Sequence, residues 1–237
     1  MLKEDYTNAL RYANEVITSE VFSLVKREDM ASGSQDLMFQ RELIWGVYYQ
    51  EIANLTSQLG GSGYDVDKLY LNWVYSDNKG YGDVEDYRLN WWETTSTTPA
   101  QTYLYKYNRK MSTGGPSSDI TPWEKLLPMI RLSEMYYIAA EAYLPTQPEE
   151  SWNLLNKVRA SRRLGVLPDN LKNNAGELLK QLEWEYRKDY WGEGKLFYFY
   201  KRLNRNVVTR TETIPASQTL FELPLPSDEI EFGNNAE

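Results

Sequence analysis

Side chains that could bind a ligand through flat apolar surfaces are concentrated between residues 64 and 92. The sequence contains eight Trp and 19 Tyr but only six Phe. Trp and Tyr combine an apolar ring with a polar tip, which suits half-wet surfaces as well as cores. The aromatic residues singled out in this segment are Tyr64, Tyr70, Trp73, Tyr75, Tyr81, Trp91 and Trp92. Their density hints at a binding surface.

Acidic residues lie among these rings and offer a different chemistry. They are Asp83, Glu85, Asp86 and Glu93. Two carboxylates at a suitable separation hydrolyse glycosidic bonds, one as an acid and the other as a base or nucleophile. Nothing in the spacing demands such a pair, so a glycoside hydrolase remains an alternative to a binding protein.

The composition excludes several other chemistries. The chain has no Cys and no His, which rules out zinc sites built from those ligands, Ser-His-Asp triads and Cys-His nucleophiles. A net charge of −8 and a pI near 4.9 argue against nucleic-acid binding, which requires basic patches. No apolar run approaches the length of a membrane-spanning helix. We expect no metal and no cofactor.

Local patterns predict a mixed first half of the chain. Asp5 to Thr18 repeats apolar residues at helical spacing and predicts an amphipathic helix. Leu43 to Tyr49 is rich in β-branched and aromatic residues and favours a strand. Glycines interrupt Thr56 to Asn90 and helical periodicity is poor, so irregular structure with short strands is expected there. Thr102 to Tyr107 alternates its tyrosines, which is typical of a strand.

The second half predicts packed helices. Ile130 to Leu144 and Glu149 to Arg163 are joined so closely that they must pack antiparallel, as in a tetratricopeptide unit. A third helix begins near Asn174, a capping residue, and ends at Tyr190. Gly192 is a natural terminator for it. A fourth helix is expected around Leu196 to Leu203.

Two further predictions concern individual side chains of these helices. Arg159, Arg162 and Arg163 form a charge run that we interpret as a solvated helix face. Aromatic residues on the helical stripes are expected in the core, namely Tyr136, Tyr143, Trp152 and Trp184.

Four blocks of this second half resemble the SusD/RagB family, in the family's order. Residues 129–142, Met-Ile-Arg-Leu-Ser-Glu leading to Ala-Glu-Ala, resemble its Arg-x-x-Glu helix. Residues 155–160 match its Leu-Asn-x-Val-Arg block. Residues 185–194 resemble a Glu- and Arg-rich helix closing in Gly-Glu-Gly. Residues 223–230 match a Leu-Pro-x-Pro tail followed by Glu-Ile.

The resemblance implies a fold, a location and partners. It implies a mainly α, SusD-like fold with irregular loops and short strands, in which tetratricopeptide-like hairpins carry an aromatic-rich insertion. Residues 1–25 would be the remnant of an N-terminal helical region, residues 26–120 the ligand-facing region and residues 121–237 the C-terminal helical region. The whole protein would be a surface-exposed outer-membrane lipoprotein with a signal peptide and lipid-bearing Cys upstream of residue 1. Its partner would be a SusC-like TonB-dependent transporter.

The same resemblance implies nutrient capture rather than catalysis, with an oligosaccharide as the expected ligand. Sugars present apolar C–H faces that aromatic rings cover, while amides bind their hydroxyls. We predict ligand contacts from Trp73, Tyr75, Asn78, Tyr81, Trp91 and Trp92. Most aromatic residues of the segment are expected to pack, leaving two or three at the site. A tetratricopeptide-like adaptor that binds peptides is the third alternative.

Overall fold

Helices make up most of the described part of the protein. The computed structural model describes residues 5–30, 36–50, 66–75, 86–96, 98–107, 126–222 and 226. The α-helices are α1 (Tyr6–Thr18), α2 (Lys68–Tyr75), α3 (Leu132–Tyr143), α4 (Pro148–Ser161), α5 (Ala175–Asp189), α6 (Lys195–Arg202) and α7 (Gln218–Phe221). The strands are β1 (Leu43–Tyr48), β2 (Trp92–Thr94), β3 (Thr102–Leu104), β4 (Leu126–Arg131), β5 (Val207–Val208) and β6 (Thr213–Ile214). The mainly α fold with short strands is confirmed.

Helix α1 forms where the apolar spacing predicts it. The carboxylate of Asp5 caps the helix by accepting a hydrogen bond from the backbone N–H of Asn8 at 3.0 Å. Ala13 is 1% exposed, and the helix packs against α3. A small residue at this contact lets the two helices approach closely.

Helices α3 and α4 form the predicted hairpin. Only residues 144–147 connect them, and Pro148 occupies the first turn of α4, where its missing N–H costs no hydrogen bond. Leu155 and Val158 are fully buried between the helices and their neighbours. Their burial agrees with the predicted antiparallel packing of the two helices.

Strand β4 was not predicted, because its residues read locally as the start of a helix. Ile130 and Arg131 instead end an antiparallel pair in which Val47 of β1 faces Leu127. The pairing partner lies about 80 residues upstream, so no local window contains the signal for it. Arg131 keeps an extended backbone and becomes the residue before the first turn of α3.

Helix α2 corrects the prediction of irregular structure and short strands between Thr56 and Asn90. Leu71, Val74 and Tyr75 follow helical spacing and form one buried stripe. The Asp67 carboxylate accepts a hydrogen bond from the N–H of Leu69 at 2.8 Å beside the helix start. Burial of this stripe outweighs the strand preference of the aromatic residues around it.

Helix α5 contributes residues to both features of the candidate site described below. Asn174 caps it by accepting a hydrogen bond from the N–H of Glu177 at 3.1 Å, as predicted. It ends at Asp189, and Gly192 follows with a φ of 73°, which glycine adopts without a Cβ penalty. The predicted C-terminal turn is therefore confirmed.

The chain divides into two compact units, residues 1–193 and residues 194–237. The second unit contains α6, the β5–β6 hairpin and α7, and Lys201 donates a hydrogen bond to the carbonyl of Phe221 at 2.8 Å. Most of the Leu-Pro-x-Pro tail at residues 223–230 lies outside the described residues. Boundaries at residues 25 and 120 stay predictions. In the part of the chain that the structure describes, no helix is both long and apolar enough to cross a bilayer.

Candidate functional site

A buried network of charged side chains lies at the centre of the first unit. Arg162 donates to Glu42 through Nη2–Oε2 at 2.9 Å and to Asp189 through Nε–Oδ1 at 3.1 Å. Arg88 reaches the same Asp189 oxygen at 3.1 Å, Asp86 at 2.7 Å and Glu185 at 2.8 Å. Every one of these side chains is at most 1% exposed.

The arginine run on α4 corrects a prediction. Arg159 is 1% exposed and pairs with Glu185 at 3.0 Å, and Arg162 is fully buried. Only Arg163 is exposed, so the interpretation of a solvated face was wrong for the first two residues. Sequence alone did not reveal that three carboxylates from other elements, Glu42, Glu185 and Asp189, would pair with them.

A second group of charges joins the network at β4. The Glu193 carboxylate pairs with Lys106 at 2.8 Å and with Arg131 at 3.0 Å. Arg131 also donates to the backbone carbonyl of Asp189 at 2.7 Å. We call both groups together the charge network. It unites residues from all three helical blocks of the family resemblance: Arg131, Arg159, Glu185, Asp189 and Glu193.

Burial and charge shift the pKa values inside the charge network in opposite directions. Burial opposes ionisation of Glu185, but Arg88, Lys188 and Arg159 outweigh it and lower the pKa of Glu185 to about 2. Arg162 and Arg88 likewise hold the pKa of Asp189 far below its usual value. Lys106 is shifted by burial, which lowers its pKa to about 8 despite the neighbouring Glu193. The network therefore ties the elements together through ionised carboxylates.

Aromatic rings form a second feature on α2, β2 and the end of α5. Their centroids are 4.9 Å apart for Trp73–Trp184, 5.4 Å for Tyr70–Trp73, 5.3 Å for Tyr70–Trp191 and 5.2 Å for Trp92–Trp191. All five rings are half-buried. We call this chain of contacts the ring layer.

Buried apolar residues support the ring layer from below. Leu71, Val74 and Tyr75 form a small core cluster against which Trp73, Trp92 and other half-buried side chains pack. The guanidinium of Arg187 lies 4.9 Å from the Trp73 ring centroid and 5.2 Å from that of Trp184, and it donates to the Tyr70 hydroxyl at 3.0 Å. These contacts fix the rings while leaving part of each exposed.

Tyr75 connects the ring layer to the backbone of α5. Its hydroxyl accepts a hydrogen bond from the Trp92 indole at 3.3 Å and donates to the carbonyl of Lys188 at 3.4 Å. Burial raises the pKa of Tyr75 well above its usual value, so the hydroxyl stays protonated and both hydrogen bonds persist. Tyr75 therefore sets the orientation of Trp92.

The six predicted ligand contacts fall into three groups: two in the ring layer, two buried, and two outside the described residues. Trp73 and Trp92 belong to the ring layer and keep exposed surface. Tyr75 is 1% exposed and Trp91 is fully buried against Phe39, at 5.2 Å between ring centroids. Asn78 and Tyr81 lie outside the described residues. Of the adjacent Trp91 and Trp92, one points inward and the other does not.

Sequence reasoning missed two members of the ring layer and undervalued a third. Trp184 was assigned to the core, Trp191 was not considered, and Tyr70 was only noted among the aromatic residues. A signal was present, because Trp184, Arg187 and Trp191 follow i, i+3, i+7 spacing and so share one face of a helical path. Tyr70 and Trp73 share a face of α2 in the same way. Predicting irregular structure there hid the second spacing.

The two described acidic residues of the region, Asp86 and Glu93, are engaged with other side chains. Asp86 is buried in the charge network, and Glu93 accepts a hydrogen bond from the Tyr103 hydroxyl at 2.7 Å. Asp83 and Glu85 lie outside the described residues. Among those the structure describes, no group of three or more Asp, Glu, His or Cys residues is placed to hold a metal ion.

Solved structures with the same fold come from Bacteroides. A SusD superfamily protein of Bacteroides vulgatus ATCC 8482 matches 99% of this chain and 55% of its own length, with 21% identity and a TM-score of 0.64. A SusD superfamily protein of Bacteroides thetaiotaomicron VPI-5482 matches 97% of this chain and 55% of its own, with 24% identity and a TM-score of 0.62. The chain thus spans about half the length of these proteins.

A third solved structure was determined with a sugar bound. Surface glycan-binding protein A from Bacteroides thetaiotaomicron, in complex with laminarihexaose, matches 96% of this chain and 58% of its own length, with 20% identity and a TM-score of 0.62. No curated protein matches the sequence. The SusD_RagB profile, which describes the SusD family, matches residues 45–221, well over half of the chain. The chain belongs to the SusD family.

Proposed function

We propose that this chain belongs to a cell-surface protein that captures an oligosaccharide without cleaving it. The ring layer is the observation that carries this proposal. Five half-buried rings in contact offer a continuous apolar surface of the kind that covers the C–H faces of sugars. Membership of the SusD family and the laminarihexaose complex of a solved relative support a glycan as the ligand.

Two of the predicted contacts, Trp73 and Trp92, are the residues of the ring layer on which the proposal rests. Tyr75 supports them through its hydrogen bond to the Trp92 indole. Trp91 contributes to the core beneath β2 and β3. Asn78 and Tyr81 stay predictions. Tyr70, Trp184 and Trp191 join the proposed contacts.

Binding of laminarihexaose and of a panel of other oligosaccharides, measured by isothermal titration calorimetry, tests the ring layer. Trp73→Ala and Trp92→Ala should each weaken binding of the best ligand about five-fold, since one ring contact is worth roughly 1 kcal/mol. Trp152→Ala is the matched control, because Trp152 is also half-buried but its indole bonds the carbonyls of Leu167 and Pro168 instead. Equal loss in all three variants would sink the assignment.

Product analysis on the same panel tests the absence of catalysis. We expect every oligosaccharide to be recovered intact, because Asp86 is held in an ion pair and Glu93 bonds Tyr103. Release of shorter products, abolished by Glu93→Gln, would favour the glycoside hydrolase instead.

The remainder of the proposal concerns location and partner. We infer a lipid-anchored protein of the outer-membrane surface that acts with a SusC-like TonB-dependent transporter. Affinity purification of the tagged full-length protein from detergent-solubilised outer membranes should bring down such a transporter. Recovery without it, while oligosaccharide binding is intact, would remove the transporter from the proposal and leave ligand capture standing.

A further inference from the structure

A cavity lies between residues 25–27 and the end of α4. None of the ring-layer residues lines it. It has a volume of about 450 Å³ and is lined by Val25, Lys26, Arg27, Tyr87, Arg163 and the end of α4. An adjoining cavity of about 400 Å³ shares Arg27, Tyr87 and Arg163. Cavities of this size take small organic molecules rather than single ions.

The charge of this cavity is opposite in sign to that of the whole chain, whose net charge is −8. Three basic side chains line it, and Glu28 at the adjoining cavity is the one carboxylate among the described lining residues. Glu28 lies 4.0 Å from Lys26 in an exposed pair. Arg27 and Arg163 pair with no carboxylate of the described residues. Within the described part of the chain, these two guanidinium groups thus have no carboxylate partner.

The backbone at Arg163 is a second and independent sign that this side chain has a use. Its φ is 64°, in the left-handed region, and it follows the last turn of α4. The N–H of Arg163 bonds the carbonyl of Ala160 at 3.1 Å, and the N–H of Leu164 bonds that of Arg159 at 2.9 Å. Glycine is the residue favoured at this position of such a helix ending. An arginine there is strained, and strain of this kind is concentrated at functional sites.

The carbonyl groups at the end of α4 do not oppose an anion as strongly as a bare helix end would. Those of Arg159 and Ala160 are occupied by the turn just described, and that of Arg162 accepts a hydrogen bond from the N–H of Tyr87 at 3.1 Å. Asp29, the next acidic side chain along the chain after Glu28, is paired with Arg41 at 2.7 Å. Among the described residues, the charge at the cavity therefore comes mainly from its basic side chains.

Apolar groups complete the lining. Val25 and Met30 are 2% and 7% exposed and give the two cavities a buried apolar floor. The half-buried ring of Tyr87 stands beside the cations, with the Arg163 guanidinium 5.9 Å from its centroid. We propose that this cavity binds a small organic carboxylate or sulfate ester, with the anionic group between Arg27 and Arg163 and the apolar side against Tyr87. The inference does not depend on glycan binding at the ring layer.

Calorimetry with glucuronate, glucose and inorganic sulfate tests the proposal on the intact chain. Glucuronate should bind, and its affinity should fall as salt is added. It should bind more tightly than sulfate, because sulfate lacks the sugar ring that contacts Tyr87. Glucose, which has the same ring without the charge, should not bind measurably. Arg27→Gln should weaken glucuronate binding roughly ten-fold, the loss of one charge-assisted hydrogen bond. Arg11→Gln, which changes an exposed arginine on α1, should leave it unchanged.

Arg163→Gly separates binding from folding. Glycine relieves the backbone strain, so the unfolding midpoint should hold or rise while glucuronate affinity falls at least ten-fold. Trp73→Ala should leave glucuronate affinity unchanged, which keeps this cavity distinct from the ring layer. Glucose binding as tight as glucuronate, sulfate binding as tight as glucuronate, no glucuronate binding at all, or affinity unchanged in both arginine variants would each overturn the proposal.

Discussion

The charge network and the ring layer share helix α5 but depend on different physics. Glu185 and Asp189 face the network, whereas Trp184 and Arg187 face the rings. A buried charge must keep its partners, because removing one leaves the other uncompensated in a medium of low polarity. An aromatic contact tolerates exchange among rings at a smaller cost. The network thus holds the elements of the first unit together, while the ring layer is the part of α5 that we propose to contact the ligand.

Asp189→Asn is expected to have the largest effect and to test the network side of this comparison. The substitution keeps the shape but leaves Arg88 and Arg162 without the charge they share. Loss of one partner of a buried pair costs about 3–5 kcal/mol. Urea denaturation should show this decrease in the free energy of unfolding. Asp169→Asn, in an exposed pair 3.4 Å from Lys172, should change it by less than about 1 kcal/mol.

Lowering the pH should protonate carboxylates of the charge network and so reduce stability, whereas the rings of the ring layer carry no group that titrates in acid. The pKa of Glu185 is lowered to about 2 in the folded chain, against an unfolded value near 4.5. A depressed folded pKa contributes stability above the unfolded value, and that stability is lost as the pH falls from about 4.5 to 2. The contribution is about 3 kcal/mol, from roughly 1.4 kcal/mol per pKa unit. Urea midpoints measured across this range should fall steeply.

The Glu185→Gln variant provides the control for the acid prediction. It should begin less stable at pH 7 and then lose less stability between pH 4.5 and 2 than the parent chain. A parallel pH dependence in the two proteins would assign the acid sensitivity to other carboxylates.

Trp73→Ala tests the ring side by measuring stability as well as binding. Trp73 is only half-buried, so its loss should lower the free energy of unfolding by about 1–3 kcal/mol, less than Asp189→Asn. The helix content, followed by amide infrared absorption, should remain unchanged. If Trp73→Ala lowers the free energy of unfolding as much as Asp189→Asn does, the two regions cannot be separated by stability and the comparison fails.

Tyr75→Phe has the smallest expected effect and examines the link between the two regions. It removes one hydroxyl that bonds both the Trp92 indole and the Lys188 carbonyl. The free energy of unfolding should fall by about 1 kcal/mol. Ligand affinity should fall as well, since Trp92 loses its orienting partner. Unchanged affinity would show that the ring holds its position through packing alone.

Local sequence signals predicted the helices well and the tertiary partners poorly. Asp5 and Asn174 mark the starts of their helices in the sequence, because each cap bonds a backbone N–H only three residues further on. Strand β4 escaped prediction because β1, its partner, is distant in sequence. Arg159 and Arg162 looked solvated for the same reason, since Glu42, Glu185 and Asp189 come from other elements. At the candidate site, Trp73 and Trp92 were predicted from aromatic density, whereas Trp191 joins them through tertiary contacts with Tyr70 and Trp92.

The spacing of the ring layer also has an optical consequence. Indole and phenol groups whose centroids lie 4.9–5.4 Å apart at steep angles couple their electronic transitions. Such coupling gives paired ultraviolet circular dichroism bands that depend on the mutual angle of the rings. The chain therefore carries an intrinsic chromophore array, and a ligand or a substitution that turns one ring is reported in the spectrum without any added label.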